Sequence, residues 1–184
     1  MKKVLITMAA IVCLGTAAKA QDAGQMWVGG SIGFTNTDVK DGATSTSFNI
    51  IPQIGYAFSD KWAIGADLGY GHDKAQSGTK TDRFGIAPFA RYSFLRGGVA
   101  NLFVDMGGSY WHTKTKLEGG DSKTDRIRVG FRPGVSLNLS QHLAMTGTFG
   151  FVGYQHVKAG DAKTNTIQAD FDLTAVQLGL NYRF

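Results

Sequence analysis

The sequence is short of three features that would each point to a particular kind of protein. It has one cysteine and three prolines among 184 residues, and after residue 20 it has no run of 18 apolar residues. One cysteine excludes a disulfide framework or a cysteine-rich zinc module, and the missing apolar run excludes a transmembrane helix. The formal net charge is +5, so the positions of the positive charges decide whether a nucleic-acid partner is worth considering.

The N-terminus has the three parts of a secretory signal peptide. Lys2 and Lys3 give a positive start, an apolar run follows, and Ala18-Lys19-Ala20 is a small-x-small cleavage pattern. We therefore predict a signal peptide over residues 1–20 and one mature domain over residues 21–184; the alternative is a buried N-terminal helix. Removing the peptide removes three lysines and no acidic residue, so the net charge falls from +5 to +2. No nucleic-acid partner is expected.

The mature chain alternates apolar residues with small or polar residues, which indicates β-strands rather than helices. Short turns separate some segments, and longer polar stretches at 36–45, 74–79, 114–123 and 158–166 separate the others. This pattern predicts an all-β, up-and-down antiparallel barrel of eight strands. Within the segment at 142–157, the apolar residues change from one face of the strand to the other, so we expect a bulge near Gly150 or Gly153. The eight segments are 25–35, 46–58, 61–73, 80–94, 99–113, 124–139, 142–157 and 167–184.

One face of each segment is apolar and the other carries Gly, Ser, Asn, Arg and Asp. A water-soluble barrel would turn its apolar face inward, but charges recur on the polar face in strand after strand. We therefore predict that the polar face lines the lumen and that the apolar face meets lipid. Aromatic residues form two groups, one near the tight turns and one near the long loops, as interfacial girdles do. The second group is Phe34, Tyr70, Tyr110 and Tyr154. The alternative is a secreted β-sandwich.

A repeat joins the strands in pairs. Each of the three prolines precedes a tight turn, a further strand and then Tyr-x-His-x-Lys: residues 70–74, 110–114 and 154–158. A proline inside a strand interrupts its ladder, so we expect a bulge or kink at Pro52, Pro88 and Pro133.

The chain resembles the small outer membrane protein beta-barrel family, the group of OmpA, OmpX and the opacity proteins. The resemblance rests on the signal peptide, the eight segments, the repeat and the final aromatic residue, and it covers the mature chain. It implies an integral, multi-pass barrel of the Gram-negative outer membrane. It also implies that Tyr182 and Phe184 form the C-terminal signal read by the outer-membrane assembly machinery.

Eight strands enclose a lumen that side chains roughly fill, and many of the residues on the polar face are charged. We expect them to pair with each other and to fill the lumen as a stabilising network. A small anion-selective channel for ions or solutes is the alternative. The predicted network is Asp67, Arg83, Arg91, Asp105, Arg128, Arg132 and Arg183.

An enzyme that modifies lipid is a second alternative, since some small outer-membrane barrels are enzymes. Ser109 and His112 are three residues apart, so on a strand they point to opposite faces and make a poor catalytic pair. The histidines also lack close metal-ligand spacing. We therefore expect no catalytic residues, no metal site and no cofactor.

Lysines and aspartates lie in or beside the long loops. These residues indicate either a solvated surface or contacts with the phosphates of lipopolysaccharide. The candidates for such contacts are Lys74, Lys114 and Lys158. The expected role is structural or surface interaction, in envelope integrity or adhesion. The expected partners are outer-membrane lipids, lipopolysaccharide and an extracellular ligand that the sequence does not identify, with the protein acting as a monomer.

Overall fold

The computed structural model describes residues 23–37, 45–75, 78–117, 120–171 and 177–184. The predicted signal peptide lies outside these ranges. No helix in them is long and apolar enough to cross a membrane. The described strands are β1 (Met26–Thr37), β2 (Ser45–Ala57), β3 (Trp62–Ala75), β4 (Lys80–Arg96), β5 (Ala100–Leu117), β6 (Gly120–Asn138), β7 (Leu143–Thr148), β8 (Phe151–Ala159), β9 (Ala162–Asp170) and β10 (Gln177–Arg183).

The strands form one closed antiparallel ring with eight positions. Strands β1 to β6 pair in chain order, and β6 pairs with both β7 and β8, which together occupy the seventh position. Strand β9 pairs with β8, and β10 pairs with β7 and with β1. The first and last described strands meet where Trp27 lies opposite Arg183. The predicted eight-stranded barrel is confirmed. Closing the ring gives edge strands a backbone partner, as a lipid environment requires.

The two faces of the barrel are inverted relative to a water-soluble protein. In β4, Phe84 and Ile86 are exposed on the outside, whereas Arg91 is buried inside. The same alternation runs through the neighbouring strands, so each strand places its apolar residues outward and its polar residues in the lumen. This is the arrangement of a barrel whose outer face meets lipid.

Two predicted loops are wrong. Strands β5 and β6 continue to Leu117 and Gly120, so most of residues 114–123 is strand. Strands β8 and β9 are separated only by Gly160 and Asp161, where Gly160 has a φ of +59°. A two-residue hairpin turn needs such a left-handed residue. These segments alternate Thr, Lys and Asp, which are polar but compatible with a strand that extends into water.

The predicted proline bulges are wrong at Pro52 and Pro88. Pro52 pairs with Gly30 of β1, whereas pairing with β3 stops at Ile50 and resumes at Gln53 in the same register. Pro88 behaves in the same way. The ladder is thus interrupted on one side only and without an extra residue, because proline has no N–H to donate there.

The predicted bulge in the seventh position is confirmed. Strand β6 pairs with β7 as far as Gly134 and with β8 from Phe131 onward, one residue out of register. The extra residue lies beside Gly150, which has a φ of +75°, and the backbone N–H of the adjacent Phe149 donates to the carbonyl of Pro133 at 3.1 Å. The bulge restores the inward and outward alternation of the rest of the strand.

Candidate functional site

The lumen is closed near the tight turns, here called the turn end; the opposite end is the loop end. The central contact there is the ion pair of Arg91 in β4 with Asp105 in β5, directly opposite each other across the ladder. Arg91 Nε lies 2.7 Å from Asp105 Oδ1, and Nη2 lies 2.9 Å from Oδ2. Both residues are buried, Asp105 to 1% exposure. A two-pronged pair of this kind is the strongest ion-pair geometry available to arginine.

Aromatic rings surround the Arg91 guanidinium. Its Cζ atom lies 3.8 Å from the ring centre of Phe103, 5.2 Å from that of Phe89 and 5.6 Å from that of Trp27. Contacts of a desolvated cation with ring faces are worth about 2 kcal/mol. The guanidinium is therefore fixed by three rings as well as by Asp105.

Four lumenal rings each lie against a glycine of the neighbouring strand. A Cβ added at any of these glycines would overlap the facing ring. The abundance of glycine on the polar face therefore has a packing reason, because a narrow barrel holds large rings only where the adjacent strand has no side chain. The directly paired residues are Trp27 with Gly55, Phe89 with Gly65, Phe103 with Gly134, and Trp111 with Gly85.

A second ion pair crosses the middle of the lumen. Arg132 Nη2 in β6 lies 3.1 Å from Asp67 Oδ2 in β3 and 4.0 Å from Asp105 Oδ2. Gln53 Nε2 also donates to Asp67, at 2.6 Å. Arg132 thus links the two buried carboxylates. With Gln53 and Arg91, one polar network joins the five strands β2 to β6, and such a network fixes a unique packing when fully satisfied.

The other three arginines of the predicted set lie elsewhere. Arg83 pairs with Asp73 at 2.6 Å near the loop end. Arg128 Nε donates to Gln155 at 2.7 Å. Arg183 is buried at the turn end, 3.4 Å from the hydroxyl of Ser136. The seven predicted residues therefore share the lumen but do not form a single network.

The free space in the lumen falls steeply from one end to the other. The cavity at the loop end has a volume of about 340 Å³, the next has about 30 Å³, and the one beside Arg183 has about 10 Å³. A water molecule needs roughly 10–15 Å³ by this measure. The two inner spaces hold a few waters at most. We call the loop-end cavity the vestibule and the packed region around Arg91 and Asp105 below it the plug.

The Tyr-x-His-x-Lys repeat lies on the outer face near the loop end. Its three tyrosines are exposed. The lysines Lys74, Lys114 and Lys158 lie four positions further along each strand and face the same way. The neighbouring strand supplies a partner to every histidine. Nδ1 of His72 lies 2.7 Å from Asp82, that of His112 lies 2.7 Å from Asp125, and that of His156 lies 2.6 Å from Asn165.

Sequence reasoning missed these histidine partners. The missing signal was the cross-strand register, which sets Asp82 against His72 and Asp125 against His112. Of Phe34, assigned to the same girdle, the structure describes only the backbone.

Carboxylates beyond the girdle have lowered pKa values. The hydrogen bond with His72 is the largest cause at Asp82, and that with His112 at Asp125, where Tyr110 adds a second. The ammonium of Lys114 does the same for Asp121, 2.7 Å away. Each pKa lies below the usual 3.8. The carboxylates are thus held in the charged state beside the lysines.

The chain ends on the outer face at the turn end. Tyr182 and Phe184 are exposed, and their rings meet edge to face at 5.2 Å. The backbone N–H of Phe184 donates to the carbonyl of Met26 at 2.9 Å. The last residue therefore belongs to the seam that closes the ring.

Ser109 and His112 lie on opposite sides of β5. Ser109 lines the vestibule, whereas His112 bonds to Asp125 on the outer face. Within the described ranges, no three His, Cys, Asp or Glu side chains are grouped so that they could hold a metal ion.

The family profile described as "Outer membrane protein beta-barrel domain" matches residues 6–184. A search of the curated proteins gave no significant match. Among solved structures, the fold is similar to the outer membrane protein OprG from Pseudomonas aeruginosa, with 12% identity, 90% of this chain and 98% of that chain covered, and a TM-score of 0.58.

Two further structures have a TM-score of 0.51. The N-terminal β-barrel domain of Pseudomonas aeruginosa OprF is 12% identical, with 89% of this chain and 100% of that chain covered. The attachment invasion locus protein Ail of Yersinia pestis is 13% identical, with 88% and 99% covered. At these identities the likeness shows the fold alone. The profile match and the closed barrel with its apolar outer face establish that the chain belongs to the outer membrane protein beta-barrel family and is an integral protein of the bacterial outer membrane.

Proposed function

We propose that the protein is a non-catalytic, non-conducting barrel that supports the outer membrane and contacts lipopolysaccharide through its loop-end outer face. The observation that carries this proposal is the threefold Tyr-x-His-x-Lys column, with tyrosine lowest and lysine highest on each column. In this proposal the loop end faces the cell exterior.

The order of side chains in each column matches the layers of a membrane surface. Tyrosine suits the boundary between hydrocarbon and headgroups. A lysine four positions further along a strand lies about 13 Å beyond the tyrosine, on the side of the headgroup phosphates. A lysine near an anionic membrane surface contributes about 1 kcal/mol, so three columns around the barrel add up to a lasting contact.

Replacing Lys74, Lys114 and Lys158 together by Ser tests this contact. Lipopolysaccharide retained after purification in mild detergent should fall several-fold, because three phosphate contacts are lost. The matched control replaces the same lysines by Arg, which keeps the charge and should keep retention. Unchanged retention in the Ser variant would refute the contact.

The proposed role of the lumen is stability. The bidentate pair of Arg91 and Asp105 and the narrowing from about 340 Å³ to about 10 Å³ both favour a closed barrel. In a planar bilayer we expect no steady conductance. A conductance that is present in the wild type and disappears in Arg128→Ala would instead establish the channel.

Absence of catalysis is proposed from the separation of Ser109 and His112 by the wall of the barrel, since a nucleophile and its base must lie within hydrogen-bond reach. The mass spectrum of lipid A from cells with and without the protein should be the same. A new lipid A species that depends on either residue would overturn this part.

The proposed role of Tyr182 and Phe184 is recognition by the assembly machinery. Phe184→Ser should lower the amount of folded protein in the outer membrane of cells while leaving unassisted folding into detergent largely unchanged. An equal loss in both settings would mean that Phe184 acts only by packing. Folded barrel is measured by its faster gel mobility before boiling.

A further inference from the structure

The vestibule has an excess of positive charge. Among the described residues that line it, four are arginines, Arg83, Arg126, Arg128 and Arg132, and one has a carboxylate, Asp67. Its volume of about 340 Å³ falls within the range of small-molecule sites, roughly 300–1,000 Å³. Arg126, on the side of the vestibule nearer the loop end, is exposed.

Two of the four arginines are already paired. Arg83 is held by Asp73 and Arg132 by Asp67. Among the ion pairs of the described residues, none includes Arg126 or Arg128. The excess positive charge of the vestibule is therefore located on β6, at two alternate residues that face the same way about 7 Å apart.

Arg128 is held in place without being neutralised. Its Nε donates to the neutral amide oxygen of Gln155 at 2.7 Å, and its Cζ lies 5.6 Å from the ring centre of Phe151. In the described residues, no protein acceptor engages its Nη groups. A guanidinium fixed on one edge presents the other as a ready fork for an oxyanion, and fixing it in advance reduces the entropy lost on binding.

A half-buried cation next to other cations is unfavourable until an anion joins it. Hydroxyl donors are at hand, because Ser109 lies directly opposite Arg128 on β5 and also lines the vestibule. We infer that the vestibule binds a small oxyanion, of the phosphate or carboxylate class, between Arg128, Arg126 and Ser109. The plug makes it a binding site with one entrance, distinct from the outer-face lysines.

The test follows arginine Nε–H resonances by NMR, with the whole barrel in a non-ionic detergent, since a phosphocholine detergent would supply the ligand itself. Inorganic phosphate is titrated against sodium chloride at constant ionic strength. We expect saturable shifts of the Arg128 and Arg126 Nε–H signals and of the Gln155 amide.

Arg128→Gln should weaken phosphate binding about tenfold or more, the loss expected for one strong charge-assisted contact. Arg126→Gln, which removes an exposed charge, should weaken it about threefold. Lys61→Gln at the turn end removes the same charge away from the vestibule and should change nothing. Shifts that do not saturate, or that weaken equally in Arg128→Gln and Lys61→Gln, would overturn the site.

Phosphate of lipid origin is distinguished by adding purified lipopolysaccharide to the same sample. A free-solute site gives lumenal arginine shifts with inorganic phosphate and none with lipopolysaccharide. The reverse pattern would overturn a free oxyanion as the ligand. Each variant is checked for unheated gel mobility, and if Arg128→Gln does not fold, Arg128→Lys replaces it: it keeps the charge but loses the fork, and binding should weaken.

Discussion

The two halves of the lumen are built from the same strands and differ in what fills them. At the turn end, the guanidinium of Arg91 is enclosed by three rings and a buried carboxylate. At the loop end, Arg128 has a neutral partner and a cavity beside it. The fully satisfied pair of Arg91 and Asp105 favours one rigid packing, whereas an arginine that lacks a counterion beside a cavity leaves room for a ligand. One barrel thus contains a stabilising half and a receptive half.

The largest expected difference between the halves concerns the buried ion pair. Asp105→Asn leaves Arg91 charged and buried without a counterion, which should lower the free energy of unfolding by about 3–5 kcal/mol. Urea unfolding in lipid vesicles, followed by tryptophan fluorescence, measures this. The control is Asp60→Asn in an exposed turn, with a change within about 0.5 kcal/mol. The double change of Arg91→Met with Asp105→Leu should recover most of the loss. A small effect of Asp105→Asn would mean that the plug is hydrated.

The second comparison makes the same substitution in each half. Gly55→Ala overlaps the enclosed ring of Trp27 and should cost about 1–3 kcal/mol. Gly85→Ala overlaps Trp111, which can move into the vestibule, so we expect a loss below about 1 kcal/mol. Gly108→Ala is the control, because its added methyl group meets nothing closer than 3.5 Å. Equal losses of stability at Gly55 and Gly85 would mean that the two halves of the lumen are packed equally tightly.

The third comparison removes one arginine from each half. Arg91→Gln should lower the free energy of unfolding by about 3 kcal/mol or more, because it isolates the carboxylate of Asp105. Arg128→Gln should leave it within about 1 kcal/mol of the wild type, since it removes a cation that has no counterion. The same vesicle assay measures both. Comparable losses would indicate that Arg128 belongs to the plug.

The smallest effect is expected on the outer face, where solvent competes with every pair. The carboxyl ¹³C signal of Asp125 should titrate with a midpoint below 3.8, because His112 and then Tyr110 hydrogen-bond to the charged form. Because this pKa is lowered by folding, the pair's stabilisation is present above pH 3.8 and is lost as the pH falls through the lowered value. His112→Gln should move the midpoint upward. A midpoint at 3.8 in both proteins would contradict the pairing.

The features of the fold that follow from the two-residue alternation of apolar and polar residues could be predicted from the sequence. The closed ring, the facing of the strands and the bulge beside Gly150 follow from alternation and one change of parity. The ends of the strands at the loop end could not be predicted, because Thr, Lys and Asp serve equally well in a loop and in a strand that stands in water. Residues 114–123 show this ambiguity.

The members of the lumenal network were easier to predict than their pairs. Facing alone places Arg91 and Asp105 inside, but their contact depends on the register of β4 against β5, which the turn between them sets. The pair of Arg83 with Asp73 was missed for a related reason, since Asp73 was taken as the last residue before a loop and not as a lumenal residue. The alternating pattern thus predicts which residues line the lumen, and the strand register determines which of them pair.

The seam between β1 and β10 joins the two ends of the chain through four paired positions in the described residues, Trp27 to Gly30. The other strand pairs join segments that lie much nearer to each other in sequence, whereas this one joins Trp27 to Arg183. A contact of such sequence separation is slow to form. The time needed to complete the barrel should therefore be governed by the closing of this seam, and an unclosed sheet with two free edges is the species that needs protection on the way.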